Sequence, residues 1–342
     1  MKTPQIQLFL FLFFFSIFAL TGQGSIQSAD GKIMFFLTQA MVENQSVSFS
    51  EVVSMESAPG PQFSKYGLGM SILAIPFYIF GKVLSALLGI EASLATQFSV
   101  SMINALITAL SCLVIYQFAT KRFNFSPRTS LLLVSGFGLS TIAWYYSEDF
   151  MSEPATSFFL LSAVYFVTSE DPAIRKRDLF LAGTFLALAV SCRLAVIVAI
   201  PGFIIYQWAV WAESKEKNFI KLIMGLIPPA APVILVLIII MLYNYIRFAD
   251  PLETGYEKFA GQFVVGFFGL LFSPGKSLFL FNPLTLLGCL SFPFFFREQR
   301  KATLLFSWLI VSHLLLFSFW GDWPGGMGWA KLNKIQLVWV GG

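Results

Sequence analysis

Acidic side chains at two places in an otherwise apolar chain could transfer protons or bind a ligand. Asp30 stands alone, shortly after the first apolar run. Its carboxylate could act as a general base that removes the proton from a hydroxyl group. The alternative is a structural role before Lys32, because aspartate is also common at helix N-caps and in turns.

A second group of acids lies in the short segment 145–154, which contains Glu148, Asp149 and Glu153. Three carboxylates this close together could bind an acceptor, a sugar or a metal ion. Glu153 directly precedes Pro154 and the next apolar run. Since the helix dipole stabilises acids at helix N-termini, Glu153 could also be purely structural.

Arg193 interrupts an apolar stretch that extends from residue 179 to residue 211. As a helix this stretch would be about 50 Å long, which suits two short membrane spans and not one. The sequence therefore predicts a break at Arg193. Its guanidinium could bind a phosphate through two parallel hydrogen bonds, or it could extend to lipid headgroups.

Two further cations and a tyrosine lie between residues 244 and 277. Arg247 could be solvated or could bind an anion. Lys276 follows Gly275 and could meet a phosphate at a helix N-terminus, although a simple turn would also account for it. Tyr256 could be an ordinary aromatic anchor at the membrane surface.

The elements that position these residues are membrane helices. Of the 342 residues, 57% are hydrophobic and only 12% are charged, whereas soluble proteins are about 25% charged. The chain is therefore predicted to be all-α, a polytopic transmembrane helical bundle that forms a single membrane domain over residues 1–342. The predicted spans are 6–22, 95–118, 129–146, 155–168, 179–192, 194–211, 222–246, 277–296 and 302–320.

Lysine and arginine set the predicted orientation, since cytoplasmic loops carry an excess of both. Four short connections, 121–128, 175–177, 215–221 and 297–301, hold three basic residues each. If they are cytoplasmic, the segments with the candidate residues face outward. A first outer loop, about 23–94, then carries interfacial helices, one of them amphipathic around residues 33–41.

The apolar segment 67–89 complicates this topology. If it crossed the membrane once, every later basic connection would move to the outer side. The sequence therefore favours a segment that re-enters the membrane or lies at its surface, with Pro76 breaking the helix. A pair of short spans between residues 67 and 118 is the alternative.

Composition and motifs exclude several other classes. The net charge is only +4 and scattered, so no nucleic acid partner is expected. The chain contains no glycine-rich nucleotide-binding motif. Its one histidine, His313, lies within an apolar run and forms no zinc motif with the three cysteines.

The order of the motifs resembles integral-membrane glycosyltransferases of the C-type fold. It is similar to bacterial relatives of the protein O-mannosyltransferases, to aminoarabinose transferase and to the RgtA-like family. The shared features, in chain order, are Asp30 after the first span, the Lys-Tyr-Gly segment at 65–67, Tyr-Ser-x-x-x-x-Ser-Glu-Pro at 146–154, Arg193, Asn-x-x-Arg-Phe-x-x-Pro-x-x-x-Gly-Tyr at 244–256, Leu-Leu-x-Ser-Pro-Gly-Lys at 270–276, and part of a tryptophan–glycine motif at 323–329.

This resemblance implies an inverting glycosyltransferase of the cell envelope, with its site on the outer face of a bacterial inner membrane. The donor would be a polyprenyl-phosphate sugar, and the acceptor a lipid, glycan or protein hydroxyl. Asp30 would be the general base. Arg193, Lys276 and Arg247 would bind the donor phosphate, and the acceptor or sugar pocket would contain Glu148, Asp149, Glu153 and Tyr256. No cofactor is implied, although a divalent metal is possible.

The chain departs from the family pattern at its end. After Trp329 the family continues with Gly-Pro-Arg and further spans, whereas this sequence has Ala330-Lys331-Leu332 and ends at Gly342. The C-terminal part is therefore expected to be truncated relative to the family, which bears on activity. The alternatives to a transferase are a polytopic transporter or lipid-linked glycan flippase, and a membrane protein that has lost its activity.

Overall fold

The structure is a computed structural model that describes residues 3–50, 62–169, 174–214, 218–256, 261–321 and 323. It is almost entirely helical, with one two-stranded antiparallel sheet. The helices are α1 Thr3–Thr21, α2 Ala29–Glu43, α3 Leu68–Leu88, α4 Ala92–Lys121, α5 Pro127–Ser140, α6 Ala143–Ser147, α7 Ser152–Val167, α8 Arg175–Cys192, α9 Ile200–Glu213, α10 Phe219–Phe248, α11 Phe263–Phe272, α12 Leu278–Phe281, α13 Leu284–Glu298 and α14 Arg300–Ser318. A 3-10 helix, Leu194–Ala199, precedes α9, and the strands are β1 Ser48–Phe49 and β2 Gln62–Phe63.

Within these described ranges, six helical segments are long and apolar enough to cross a membrane. Five of them coincide with predicted spans, and the sixth is α3, for which the charge pattern favoured a re-entrant or surface segment over a single crossing. The described chain is therefore mainly α-helical, as predicted, and these helices have the length and composition of membrane spans. The six segments are Pro4–Thr21, Leu68–Leu88, Ala92–Lys121, Leu194–Glu213, Phe219–Phe248 and Arg300–Ser318.

Three predicted elements differ in the structure. The predicted span 129–146 is divided into α5 and α6 at Thr141 and Ile142. Segment 247–276 lies between two predicted spans and contains helix α11, whose ten apolar residues are too few to cross a membrane. Gly266 of α11 lies so close to the Ser318 backbone of α14 that a side chain would overlap it. The predicted span 277–296 is divided into α12 and α13 at Asn282 and Pro283, since proline does not continue a helix hydrogen-bond ladder.

The contacts group the chain into two compact units: a larger unit, residues 1–194 and 223–255, and a smaller one, residues 195–222 and 256–342. In the larger unit α4 is central. Phe14 and Phe18 of α1 are fully buried in a core cluster with residues of α4, including Ala109 and Cys112. In the smaller unit α9 packs on α14, where the Trp308 Nε1 donates to the Val198 carbonyl at 2.8 Å. The single membrane domain stays a prediction.

Basic residues mark one end of the larger unit. The Arg122 Nε, just after α4, donates to the Tyr165 carbonyl near the end of α7 at 3.2 Å. The Arg175 guanidinium, at the start of α8, donates to the Val167 carbonyl at 2.8 Å. These contacts satisfy carbonyl groups at the C-terminus of α7, where cations are also favoured by the helix dipole. Two of the predicted basic connections therefore lie at the same end.

Helix α2 confirms the helical spacing around residues 33–41. Leu37 and Ala40 are buried against Phe49 of β1. Helix α2 also packs on α3: the Thr38 hydroxyl donates to the Ser71 carbonyl at 3.0 Å, and the Ser71 hydroxyl donates to the Met34 carbonyl at 2.9 Å. The position of α2 at a membrane surface stays a prediction.

Helix α3 is continuous from Leu68 to Leu88, and Pro76 lies inside it without ending it. The expected break at Pro76 is therefore wrong. The helix ends at Gly89, whose φ of 66° places it in the left-handed region that glycine adopts most easily.

An ion pair joins the far ends of α2 and α3. Glu43 accepts from the Lys82 ammonium and from the Tyr78 hydroxyl, both at 2.8 Å. The hydrogen bond from Lys82, followed by that from Tyr78, lowers the pKa of Glu43 below its usual value of 4.5. The ionised carboxylate is therefore favoured in the folded state.

This ion pair predicts an acid-dependent loss of stability. Because the folded-state pKa is lowered, the contribution of Glu43 is present above pH 4.5 and is lost as the pH falls through the folded-state value. In Glu43→Gln, unfolding temperatures should depend less on pH below 4.5 than in the wild type. The matched control is Glu91→Gln, an exposed acid whose side chain makes no capping bond. An unchanged pH profile in Glu43→Gln would contradict this assignment.

Candidate functional site

Four of the segments that carry candidate residues meet at the end of the larger unit opposite Arg122 and Arg175. We call this the Asp30 end. It comprises the turn before α2, the loop 148–151 between α6 and α7, the break at Arg193 and the turn before α3. These segments are joined by hydrogen bonds, an ion pair and close backbone packing. Helix α7 connects the two ends of the unit. Glu153 in its first turn and Tyr165 near its last turn are about 18 Å apart along the helix axis, at 1.5 Å per residue.

Asp149 fastens the start of α2 to the loop 148–151. Asp149 is 7% exposed, and its carboxylate accepts three backbone N–H groups. These come from Gln27 at 3.2 Å, Ser28 at 2.8 Å and Phe150 at 2.7 Å. Hydrogen bonds to an ionised acceptor are among the stronger ones in proteins. Asp149, expected in a ligand pocket, is thus used to hold two backbone segments together.

Asn104 on α4 holds the same loop from beneath. It is fully buried, and its amide nitrogen donates to the carbonyls of Asp149 at 2.6 Å and Met151 at 2.9 Å. A longer contact at 3.4 Å reaches the Tyr146 carbonyl. The sequence pattern did not single out Asn104, although an amide within a charge-free apolar run is a signal that could have identified it.

Gly31 allows α2 to approach this loop. A Cβ at this position would overlap the Phe150 carbonyl oxygen and lie 2.7 Å from the Ser28 hydroxyl. The Ser28 hydroxyl cannot move freely, because it accepts the Gly31 N–H at 3.1 Å as the helix N-cap. The first turn of α2 is therefore close-packed around a residue without a side chain.

Substitution of Gly31 tests this packing. Gly31→Ala is expected to lower the unfolding temperature, since the new methyl group must displace the Phe150 carbonyl; overpacking of this kind costs about 1–3 kcal/mol. The matched control is Gly225→Ala in α10, where a Cβ would meet nothing within 4 Å. There alanine should be neutral or stabilising, because it favours helix more than glycine does. Equal effects of the two substitutions would contradict the close approach.

Asp30 lies in the first turn of α2 and is exposed. Its alternative assignment as the N-cap is wrong, because Ser28 caps the helix. No hydrogen bond or ion pair engages the Asp30 carboxylate within the part of the chain that the structure describes. The carboxylate is thus held at a defined place by its backbone, at the positive end of a helix, and faces outward.

The guanidinium of Arg193 pairs with the carboxylate of Glu153. Both side chains are about one-third exposed. Arg193 is extended and directly follows α8, which confirms the predicted break, and Glu153 lies in the first turn of α7. The pair therefore connects two helix ends beside the loop 148–151, and its exposed edge can still meet a ligand.

Two glycines bring the start of α3 against the end of α8. A Cβ on Gly67 would overlap the Ser191 carbonyl oxygen, and one on Gly69 would overlap the Ser191 hydroxyl. The turn before α3 therefore packs against Ser191, two residues before Arg193 in the chain. Small residues permit such contacts between membrane helices.

Arg247 joins the end of α10 to the same turn. Its guanidinium donates to the Ser64 carbonyl and to the Asn244 side-chain oxygen, the latter at 2.5 Å. It also stacks over the Tyr243 ring, with 4.0 Å between the guanidinium carbon and the ring centroid. Such multiple contacts suit the planar guanidinium. In the structure, Arg247 positions two segments of the larger unit.

Glu148 and Tyr145 have perturbed acidities. Burial raises the pKa of Glu148, and a hydrogen bond with Thr21 partly offsets this. Burial also raises the pKa of Tyr145, with smaller contributions from the charges of Asp149 and Glu148. Glu148 therefore keeps its proton to a higher pH than an ordinary glutamate does.

Lys276 and Tyr256 belong to the smaller unit. Lys276 lies in a turn in which its own N–H donates to the Ser273 hydroxyl at 3.2 Å. Helix α12, which follows, has only four residues, so it contributes little helix dipole to an anion site. Tyr256 contacts Trp320 edge-on, with ring centroids 5.6 Å apart. Their assignments to a phosphate site and a sugar pocket stay predictions.

The tryptophan–glycine motif falls outside the described residues, apart from Trp323. No group of three or more His, Cys, Asp and Glu side chains within the described ranges is placed to hold a metal ion. The divalent metal considered for the carboxylates stays a prediction.

Compared with known proteins, the chain matches no protein family, and no curated protein and no solved structure is similar to it. The resemblance to C-type glycosyltransferases therefore stays a prediction that rests on the motifs.

Proposed function

We propose that this chain is a multi-pass membrane glycosyltransferase that transfers a sugar from a polyprenyl-phosphate donor to a hydroxyl group, with inversion at the anomeric carbon. One observation supports this proposal: Asp30, the Glu153–Arg193 pair and Arg247 all lie at one end of the larger unit. Arg247 is held there by its hydrogen bond to the Ser64 carbonyl. A carboxylate that no described residue engages and a cation at a helix break are the groups that such a reaction needs.

In the proposed reaction, Asp30 accepts the proton of the acceptor hydroxyl as its oxygen attacks the anomeric carbon. The bond between that carbon and the phosphate oxygen breaks, and polyprenyl phosphate leaves with the bonding electrons. Arg193 stabilises the negative charge that develops on the phosphate, and two parallel hydrogen bonds from a guanidinium suit this task. Asp149, Asn104 and Gly31 act as positioning residues for Asp30.

The ends of the larger unit support an outward-facing site. Arg122 and Arg175 lie at the end opposite Asp30. Since basic connections are retained in the cytoplasm, the Asp30 end would face the outside of the plasma membrane. A lipid-linked donor would then reach the site from the outer leaflet, which agrees with the lack of a nucleotide-binding motif in the sequence.

Purified protein in nanodiscs, incubated with a small panel of polyprenyl-phosphate sugars and hydroxyl acceptors, tests the proposal. The expected result is the release of polyprenyl phosphate together with a glycosylated acceptor. A transporter or flippase would instead move a lipid-linked sugar across proteoliposomes without any transfer. Movement without transfer would overturn the proposed activity.

Arg193→Ala is predicted to raise the KM for the donor by about 10- to 100-fold, because a hydrogen bond to a charged group contributes about 1.5–3 kcal/mol. Arg193→Lys should recover only part of this loss, since an ammonium lacks the planar pair of donors. The control is Arg177→Ala, whose guanidinium pairs with Asp178 at the other end of the unit. If both alanine variants used the donor equally well, Arg193 would have no phosphate role.

A further inference from the structure

Helix α3 and the first part of α4 form an antiparallel hairpin. Its exposed face is more apolar than its buried face, which is the opposite of a helix pair in water. The buried residues of α3 are Met70, Ser71, Ala74, Tyr78 and Gly81. Its exposed face is larger and more apolar, with Ile72, Ile79, Phe80, Val83 and Leu87 between 47% and 76% exposed. These exposed residues recur at helical spacing along one side.

The first turns of α4 repeat the pattern. Ala95, Thr96 and Ser99 are buried, whereas Leu94 and Phe98 are 61% and 48% exposed. Helices in water turn their polar side outward, and small residues at the helix contact with large apolar residues outside are typical of helices in lipid.

Close packing of small residues holds the hairpin together. A Cβ on Gly81 would lie 2.6 Å from the Thr96 Cα. The Ser99 hydroxyl donates to the Phe77 carbonyl at 2.7 Å. These buried polar atoms thus point into the hairpin, and the outer face is mainly apolar. Lys82, whose side chain is about half exposed, pairs with Glu43 of α2, and the Gln97 side chain donates to the exposed Ser93 hydroxyl near the tip.

The hairpin extends beyond the end of α1. Gly22, directly after α1, lies beside Met102, and Gly24 lies beside Phe98. Residues 92–101 of α4 therefore continue past α1, by about 15 Å at 1.5 Å per residue. A protrusion of this length into water would expose the apolar stripe of both helices.

The distribution of charge along α4 argues against such a protrusion. No charged residue occurs between Glu91 and Lys121. This charge-free segment is about 43 Å long, which matches the thickness of a bilayer including both headgroup layers, about 40–45 Å. Its exposed apolar surface also continues that of α1, where Leu20 is 86% exposed.

We infer that the α3–α4 hairpin is embedded in the lipid leaflet at the Asp30 end, with its tip, residues 88–91, at the level of the headgroups. The occupant of its apolar face is the acyl-chain layer of the membrane. Helix α3 then enters the leaflet without crossing the bilayer. Asn104, and with it the loop that holds Asp30, lies about 20 Å along α4 from the tip, so the site is recessed below the headgroup surface.

Spin labels on single cysteines test the depth of the hairpin in nanodiscs. The labelled positions are Ile72, Ile79, Val83 and Leu87, in a chain whose exposed Cys289 is replaced by serine. Accessibility to oxygen relative to a water-soluble nickel chelate should fall steadily from residue 72 to residue 87. Leu12→Cys in α1 serves as the lipid reference, and Arg128→Cys, in an exposed basic connection, as the water reference.

Three results would overturn the inference. One is nickel accessibility at residues 72–83 as high as at Arg128, which would place the hairpin in water. Another is a maximum of oxygen accessibility near Ile79 with a fall on both sides, which would show that α3 crosses the bilayer. The third is immobilised labels with strong spin–spin broadening, which would show that a second copy of the chain covers the face.

A measurement on the unmodified chain keeps the test independent of the variants. A phosphatidylcholine with a photoreactive acyl chain is incorporated into the nanodiscs, and the adducts are mapped by mass spectrometry. Peptides from residues 68–98 should carry lipid adducts, as peptides from α1 do. Adducts in α1 without adducts in the hairpin would overturn the inference, whether or not sugar transfer is observed.

Discussion

Asp30→Asn is expected to lower the rate of sugar transfer by about 10²- to 10⁴-fold, the usual contribution of a positioned general base. The amide has nearly the same shape as the carboxylate but cannot accept the proton of the attacking hydroxyl. The Asp30 side chain makes no hydrogen bond or ion pair with the described residues, and Ser28 supplies the helix cap. The substitution should therefore leave the fold and donor binding unchanged.

The measurement is kcat for release of polyprenyl phosphate in nanodiscs, together with the unfolding temperature. Glu91→Gln is the matched control, because Glu91 is an exposed acid at the start of α4 with no capping bond. It should transfer at the wild-type rate. A wild-type rate in Asp30→Asn would remove the base assignment. A loss of rate that only accompanies a loss of stability would show that Asp30 is structural.

Asp149→Ala is expected to destabilise the protein by about 3–5 kcal/mol, because three backbone N–H groups at a buried site lose their acceptor and each unsatisfied group costs about 1–3 kcal/mol. Two of these N–H groups, those of Gln27 and Ser28, set the start of α2. The variant should therefore also displace Asp30 and lose transfer activity at temperatures where it remains folded.

A control variant shows whether the expected loss of stability is specific to Asp149 or follows the removal of any aspartate that accepts a backbone N–H. Asp250 also accepts a backbone N–H, that of Leu252 at 2.9 Å, but in an exposed turn. Asp250→Ala should change stability by less than about 1 kcal/mol, since water can replace the exposed carboxylate. Unfolding in detergent, followed by circular dichroism, measures both variants. Equal midpoints for the two would contradict the role of Asp149.

Apolar run length and local spacing were enough to predict most of the helices. A run of about 20 apolar residues in lipid forms a helix, because a helix satisfies all of its backbone hydrogen bonds internally. The break at Arg193 followed from a stretch too long for one span, and α2 followed from the spacing of residues 33–41. The division of 277–296 and the short helix α11 were missed, because both depend on local proline chemistry and packing below the length of a span.

What the candidate side chains contact was not predictable in the same way. Asp149 looks like Glu148 and Glu153 in the sequence, yet only Asp149 accepts backbone N–H groups from a segment more than 120 residues away. Asn104 was not identified at all, because its contacts are with a loop that approaches only in the folded chain. Such long-range contacts leave no periodic pattern in the sequence.

The sequence by itself determined that this is an apolar, helical chain with carboxylates and cations at the helix breaks, since burial of backbone polar groups in lipid depends on composition and run length alone. Only the tertiary structure decided which of those residues share one end of the larger unit. It also showed which face of α3 is buried, because the choice between two apolar faces depends on where small residues allow another backbone to approach.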